Sequence, residues 1–270
     1  MQCMHLSDSQ VPLPIMTSSL KMALGLSDIP RVAFVGSGGK TTALFCLARE
    51  YQLSVIVTAT SRLEIFQTQY ADQHFHCDDP LGWGGNLPQD ISGVTLFSGP
   101  KNDHSVDGLG HDALQQVLLL ADRKDVPLLI EADGSRRHPA KAPAQHEPPI
   151  PDFVDSVVVV TGLSALGKPC TTEWVHRPEI YANLSGLKLG DLISVKAMED
   201  VLCHPYGGLK NIPVSARRIA LLNQADTPDL CFQACELAVR LLSTYQSVIV
   251  SALNRKDSAL DIPIINAIYK

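Results

Sequence analysis

The junction of strand, glycines and helix at residues 32–51 constrains this chain more than any other stretch. A short apolar run, Val32-Ala33-Phe34-Val35, breaks at Gly36-Ser37-Gly38-Gly39 and gives way to Lys40-Thr41-Thr42. Ala43, Leu44, Leu47, Ala48 and Tyr51 then recur on one helical face. Glycines let the backbone approach a ligand and turn its N–H groups inward. The N-terminus of the following helix adds a positive pole that favours phosphate. Gly36, Ser37, Gly38, Gly39, Lys40, Thr41 and Thr42 are therefore the expected phosphate cradle. Lys40 is expected on the β- and γ-phosphates of a nucleotide and the Thr41 hydroxyl on Mg²⁺. The full phosphate-loop pattern begins with a glycine where this chain has Phe34, so the loop is a shortened variant.

Leu53–Thr58 reads as a second strand, which makes the opening segment a βαβ unit. Further strands are expected at Val94–Phe97, Pro127–Glu131, Val157–Val160, Ile219–Leu222 and Ser247–Val250, the last clear one. Helices are expected at Ser18–Leu26 with Thr17 or Ser18 as N-cap, at Lys40–Tyr51, around Leu114–Leu120 and at Pro228–Leu241, with helical pieces at 178–206 interrupted by Gly186 and Gly190. The alternation predicts an α/β, P-loop NTPase-like three-layer fold with a mostly parallel sheet and a central insertion. Residues 1–29 read as an N-terminal leader and short helix, the first 16 being loose. Residues 30–270 read as a single α/β domain with an irregular and helical insertion at about 132–210.

A phosphate cradle needs an acid at the end of a neighbouring strand to hold Mg²⁺ or its water. Leu128-Leu129-Ile130 runs into Glu131-Ala132-Asp133-Gly134, so Glu131 and Asp133 are both candidates as metal partner or as the group that polarises water. Base recognition has its own candidates. Asn223-Gln224-Ala225-Asp226 follows a strand and is similar to the N-K-x-D motif of GTPases, with Gln224 in place of the lysine. Ser251-Ala252-Leu253 is similar to the loop that meets the guanine carbonyl. The competing expectation is that Asn223 and Asp226 cap the next helix. Guanine and adenine both stay open, so the expected nucleotide is GTP or ATP.

Residues 132–152 hold Pro139, Pro143, Pro148, Pro149 and Pro151 and read as a long irregular loop. Its basic residues Arg136, Arg137 and Lys141 sit beside the proposed metal acid and are candidates to clamp phosphates or an anionic second substrate. His146 joins them as a second-substrate candidate. Its adjacency to Glu147 makes a poor metal pair, because adjacent residues point in different directions.

The net charge of −6 and the absence of a long apolar run argue against a nucleic-acid binder and against a spanning helix. Seven cysteines, scattered and without a C-x-x-C, are expected to be reduced thiols, mostly small core side chains, in a cytoplasmic protein.

The loop Gly36–Thr42 resembles the G-x-x-G-K-T-T loops of some ligases and metallochaperone GTPases. More specifically, Glu131-Ala132-Asp133-Gly134 with Lys141-Ala142-Pro143-Ala144-Gln145-His146-Glu147-Pro148 resembles the hallmark of the YqeC family, and so does Thr161–Pro169 with Val175-His176-Arg177-Pro178-Glu179. Gln145 departs from the glutamate expected before the histidine, and Ala59 and Ser61 from a threonine-rich segment. The resemblance implies a bacterial accessory protein of selenium-dependent molybdenum hydroxylases, with a molybdopterin-type cofactor and the hydroxylase as partners. It places His176 and Arg177 at a second-substrate site. The leading expectation is a Mg²⁺-dependent NTPase. The rivals are a phosphoryl or nucleotidyl transferase on a small anionic substrate, and a non-enzymatic carrier of a nucleotide or cofactor.

Overall fold

A computed structural model of the chain describes residues 15–17, 19–79, 81–84, 86–256 and 263–269. In chain order its elements are β1 (Ile15–Thr17), α1 (Leu20–Leu24), β2 (Arg31–Gly36), α2 (Lys40–Arg49), β3 (Val55–Ala59), β4 (Leu63–Glu64), β5 (Gln73–His76), β6 (Val94–Ser98) and β7 (Ser105–Val106). They continue with α3 (His111–Lys124), β8 (Leu128–Glu131), β9 (Ala140–Lys141), β10 (Ser156–Gly162), β11 (Val175–His176), α4 (Pro178–Ser185), α5 (Val195–Cys203), β12 (Arg217–Asn223), α6 (Pro228–Leu241), β13 (Ser247–Lys256) and β14 (Pro263–Tyr269). Ten strands form one sheet in the order β1-β14-β13-β12-β10-β2-β8-β3-β6-β5. From β5 to β13 every pairing is parallel, and β14 closes that edge antiparallel to β13.

The buried central strands are nearly continuous in Val, Ile and Leu because both faces are covered. In β2 the pleat sends Val32 and Phe34 to the face under α1 and α2. Ala33 and Val35 go to the opposite face, under α3, α4, α5 and α6. The glycine turn after β2 thus rests on a strand packed from both sides. Truncating the fully buried Phe34 to alanine would cost about 3–5 kcal/mol.

Topology also fixes where a ligand can approach. From β2 the chain moves to β3 and β6, returns to fill the gap with β8, and then crosses to β10 on the other side of β2. Strand order reverses at β2, and the crevice beyond the C-terminal ends of β8, β2 and β10 is the place where open α/β sheets bind ligands. Glu131, Gly36 and Gly162 end those strands.

Several sequence expectations need adjustment. Residues 1–14 of the expected leader, Cys3 and Ser18 lie outside the described residues, while Ile15–Thr17 pairs with β14 as an edge strand. Ser19 caps α1, accepting from the Met22 N–H at 3.1 Å. Helix α2 stops at Arg49, short of Tyr51. Strand β13 runs past Val250 to Lys256, and β14 follows it. The stretch at 132–210, expected as an irregular and helical insertion, also supplies β10 to the middle of the sheet. Of the described cysteines Cys77 and Cys170 are buried, Cys46, Cys203 and Cys231 are partly buried against the core, Cys235 is exposed, and none is in a disulfide.

Candidate functional site

The turn after β2 is shaped by close contact with its neighbours. At Gly36 (φ +95°) a Cβ would come within 2.2 Å of the Val160 carbonyl oxygen of β10, and at Gly38 (φ +75°) within 2.2 Å of the Gly162 nitrogen. Only glycine fits both the space and the left-handed backbone. The first part of the turn is already hydrogen-bonded to protein. Gly36 N–H donates to both Asp133 carboxylate oxygens at 3.1 Å, Ser37 N–H to Val160 O at 2.9 Å and Gly38 N–H to His138 O at 3.1 Å, while Ser37 Oγ donates to Pro139 O at 2.9 Å. The expected cradle therefore narrows. Within the stretch 36–42, the N–H groups of Gly39, Lys40, Thr41 and Thr42 donate to no protein acceptor among the described residues, as expected for the first turn of a helix. These are the donors left for an anion.

Lys40 is 3% exposed and lies among acceptors. Its Nζ donates to Gly36 O at 2.8 Å and lies 3.3 Å from Asp133 Oδ1 and 3.6 Å from Glu131 Oε1. Burial alone would lower its pKa, but Asp133 and Glu131 outweigh that and hold the ammonium above its usual value. Glu131 is pushed the other way: burial raises its pKa, and the Lys40 charge and the Thr41 hydroxyl offset only part of this. Thr41 Oγ1 donates to Glu131 Oε2 at 2.7 Å and accepts from Gln67 Nε2 at 2.9 Å.

Asp133 takes a different part. Besides Gly36 and Lys40 it binds Lys141, whose Nζ lies 2.7 Å from Asp133 Oδ2 and 2.8 Å from Glu147 Oε2, and also donates to Gly134 O. Arg177 grips Glu147 with two parallel bonds of 2.8 Å. The result is one chain of ion pairs, Lys40–Asp133–Lys141–Glu147–Arg177, running from the glycine turn to the start of α4. Burial opposes ionisation of Glu147, but hydrogen bonds from Arg177 and Lys141 win and hold its pKa down at about 2.

This divides the two candidate metal acids. Mg²⁺ takes hard oxygens, usually one or two carboxylates plus phosphate and water. The Thr41 hydroxyl and Glu131 carboxylate already touch and fit that donor set. Both Asp133 oxygens are committed to N–H and ammonium donors, so Asp133 does not fit. Among the described residues no group of three or more His, Cys, Asp or Glu is placed to hold a metal, and His146, four-fifths exposed on its side chain, is far from forming one.

The turn opens into a cleft of roughly 680 Å³ walled by residues 38–42, by Ser61, Arg62, Glu64, Phe66, Gln67 and Tyr70, by Glu131 and Gly134–Arg137, and by Glu147, His176, Arg177 and Gln224. Arg136, His176 and Arg177 thus reach it. Lys141 faces the ion chain instead, with its side chain 2% exposed, and His146 does not line the cleft. The base-reading candidates are placed differently from expectation. Asn223 is buried and donates from Nδ2 to Gly38 O at 2.9 Å, while its Oδ1 accepts from Ser251 Oγ at 3.1 Å and Leu253 N–H at 3.2 Å. The Asn223–Ser251 pair braces the glycine turn from behind. Ala252 is buried, and Asp226 is exposed without lining the cleft. The helix after β12 is capped by Thr227, so Asn223 and Asp226 do not serve as its N-cap.

The sequence did not single out Gln67. It lies in a 3-10 helix over Ile65–Tyr70, and its Oε1 accepts from the Glu64 N–H at 2.8 Å while its amide donates to Thr41. The Glu64-x-x-Gln67 spacing marks a local cap, but nothing in the order of residues ties it to the cradle.

The fold and site define an α/β protein with a mostly parallel sheet and a glycine turn, a buried lysine and two carboxylates at its switch point. The family model described as YqeC protein matches residues 32–179. The chain is also 34% identical over 244 residues to "Uncharacterized protein YqeC" of Escherichia coli (strain K12), covering 89% of each chain. The chain belongs to the YqeC family. No solved structure matches significantly. No helix among the described residues is long and apolar enough to cross a membrane.

Proposed function

We propose that this chain binds GTP or ATP with Mg²⁺ at the end of β2 and hydrolyses it, serving the maturation of a selenium-dependent molybdenum hydroxylase or its molybdopterin-type cofactor. The observation that carries the nucleotide part is the buried Lys40 at the head of α2, with Thr41 bonded to Glu131 beside it. The N–H groups of Gly39–Thr42 bind the phosphates, and Lys40 exchanges its bond to Gly36 O for the β- and γ-oxygens. Thr41 and Glu131 would hold Mg²⁺, which would supply positive charge against the phosphates. Water adds to the γ-phosphorus, the β–γ bridging P–O bond breaks, and the products are the diphosphate and inorganic phosphate. Asp133 keeps Lys40 charged and the turn closed. The hydroxylase connection rests on the family's sequence hallmark alone.

The test is equilibrium binding of fluorescent GTP and ATP with and without Mg²⁺, together with phosphate release, for the wild type and Lys40→Ala. A charge-assisted contact worth about 1.5–3 kcal/mol predicts a roughly tenfold to hundredfold weaker affinity for the variant. If neither nucleotide binds, or Lys40→Ala binds equally well while folded, the proposal fails. Tight Mg²⁺-dependent binding without phosphate release would move the protein to the carrier class.

A further inference from the structure

The cleft extends beyond what a triphosphate cradle needs, and its far wall carries groups that the cradle does not use. Among the cleft's charged residues, cations and acids pair off almost completely. Lys40 lies against Glu131 and Asp133, Arg62 against Asp107, Arg137 against Glu64 and Arg177 against Glu147. Arg136 is the exception: among the described residues no carboxylate or carbonyl meets its guanidinium, although it lines the cleft. Its backbone is left-handed (φ +48°), as is that of Arg137 (φ +63°), so the loop holds two consecutive arginines in a conformation that β-carbons disfavour. The N–H groups of Gly134, Ser135, Arg136 and Arg137 likewise donate to no protein acceptor among the described residues.

Against this loop lies a separate two-stranded ribbon in which β11 pairs with β9. There the His176 ring stacks on His138, with centroids 5.8 Å apart and planes 17° apart. His138 has both ring nitrogens engaged, with Ser135 O and Thr172 O, whereas no hydrogen-bond partner meets the His176 ring among the described residues. Burial, with Arg177 and Lys141 nearby, holds the His176 pKa down at about 4, so at neutral pH it is an uncharged donor and acceptor. This part of the cleft therefore presents one uncompensated cation, a row of open N–H groups and a neutral imidazole.

We infer that this far half of the cleft is a second anion subsite. In it Arg136, the N–H groups of residues 134–137 and the His176 ring hold a phosphate-sized oxyanion, free or carried by a small molecule, next to the nucleotide's terminal phosphate. The inference rests on the nucleotide reading for its neighbour but not for its own donors. The two sets of donors come from different segments: the cradle from α2, the subsite from the loop after β8 and from β11.

The experiment titrates inorganic phosphate, by calorimetry, into protein saturated with Mg²⁺ and a non-hydrolysable triphosphate analogue, and into the unloaded protein. The variants are Arg136→Gly, which relieves the positive φ, His176→Phe, which keeps a ring on His138, and Lys40→Ala. Phosphate is expected to bind the loaded protein and to weaken at least tenfold in Arg136→Gly, and several-fold in His176→Phe, with analogue affinity changed less than twofold. Circular dichroism melts identify any variant that has not folded. The inference is overturned if phosphate binds only by competing with the analogue, or if Arg136→Gly and His176→Phe bind it as the wild type does. If no triphosphate binds, yet phosphate affinity falls in Arg136→Gly and not in Lys40→Ala, the nucleotide reading fails while the subsite stands.

Discussion

Glu147 is the residue whose replacement should reveal most about how this site is held together. Its carboxylate joins Lys141, whose side chain is 2% exposed, to Arg177. Glu147→Gln keeps the shape and removes the charge, leaving Asp133 as the one carboxylate on Lys141. Its pKa is held down from 4.5 to about 2. At about 1.4 kcal/mol per unit, that shift is worth about 3 kcal/mol of native-state stability. The figure agrees with the roughly 3–5 kcal/mol lost when one partner of a buried pair is removed. The sign follows from the depressed pKa: the stabilisation is fully present above the unfolded-state pKa near 4.5 and fades as pH falls towards 2. By pH 3 linkage predicts that about 2 of those 3 kcal/mol are gone. Urea denaturation of the wild type and Glu147→Gln, followed by tryptophan fluorescence at pH 7, 5, 4 and 3, measures this directly. The gap should be about 3 kcal/mol at pH 7 and 5 and close to about 1 kcal/mol at pH 3. A gap below about 1 kcal/mol at pH 7, or one that does not shrink with acid, would refute the claim that Glu147 is the ionised centre of the chain.

Gly38→Ala should abolish nucleotide binding, because the added Cβ would lie 2.2 Å from Gly162 N at a positive φ; the same titration with labelled nucleotide checks it. Gln67→Leu should leave the Mg²⁺-free nucleotide affinity unchanged and raise the Mg²⁺ concentration needed for half-maximal binding several-fold, since it removes the donor that orients Thr41 Oγ1. Asn223→Ala should destabilise the protein by about 1–3 kcal/mol in urea titrations, because it orphans Ser251 Oγ, Leu253 N–H and Gly38 O together, and should weaken GTP and ATP equally. A loss confined to GTP would return Asn223 to base reading.

Much of the sheet was legible because its parallel strands are buried on both faces. Val157–Val160, Ile219–Leu222 and Leu128–Ile130 are apolar throughout, and the glycines after Val35 mark where one of these strands ends. The edge strands were harder to read. Gln73–His76 is polar and only partly covered, so neither apolar alternation nor a continuous apolar run marks it. The β13–β14 pairing is antiparallel and depends on a partner rather than on local pattern. At the site, residue types were legible and their partners were not. Glu131 and Asp133 look alike in a row of letters, and only three dimensions send one to Thr41 and the other to Lys141. Asn223 looks like a base reader because its motif is a matter of order, whereas its three hydrogen bonds to Gly38, Ser251 and Leu253 are a matter of register between β12, β13 and the turn.

The two sequence blocks that mark the family acquire a shared physical meaning from the ion chain. Asp133 and Gly134 stand in the first block with Lys141 and Glu147, and Arg177 stands in the second. The contacts join all five, since Lys141 reaches Asp133, Gly134 O and Glu147, and Arg177 reaches Glu147 and Ala142 O. The spacing of these residues in sequence is therefore set by a requirement to span from the glycine turn to the start of α4, where Pro178 follows Arg177. Burying alternating charges costs more than an apolar filling of the same space, so the chain is a poor means of gaining stability alone. What it supplies is position. It fixes Lys40 against the turn at one end and, at the other, sets Arg177 beside the His176 wall of the cleft. A ligand that pulls Lys40 away from Asp133 changes the charge balance felt by Lys141, Glu147 and Arg177 in turn. The two halves of the cleft are thus linked electrostatically through the protein interior as well as across the open space between them.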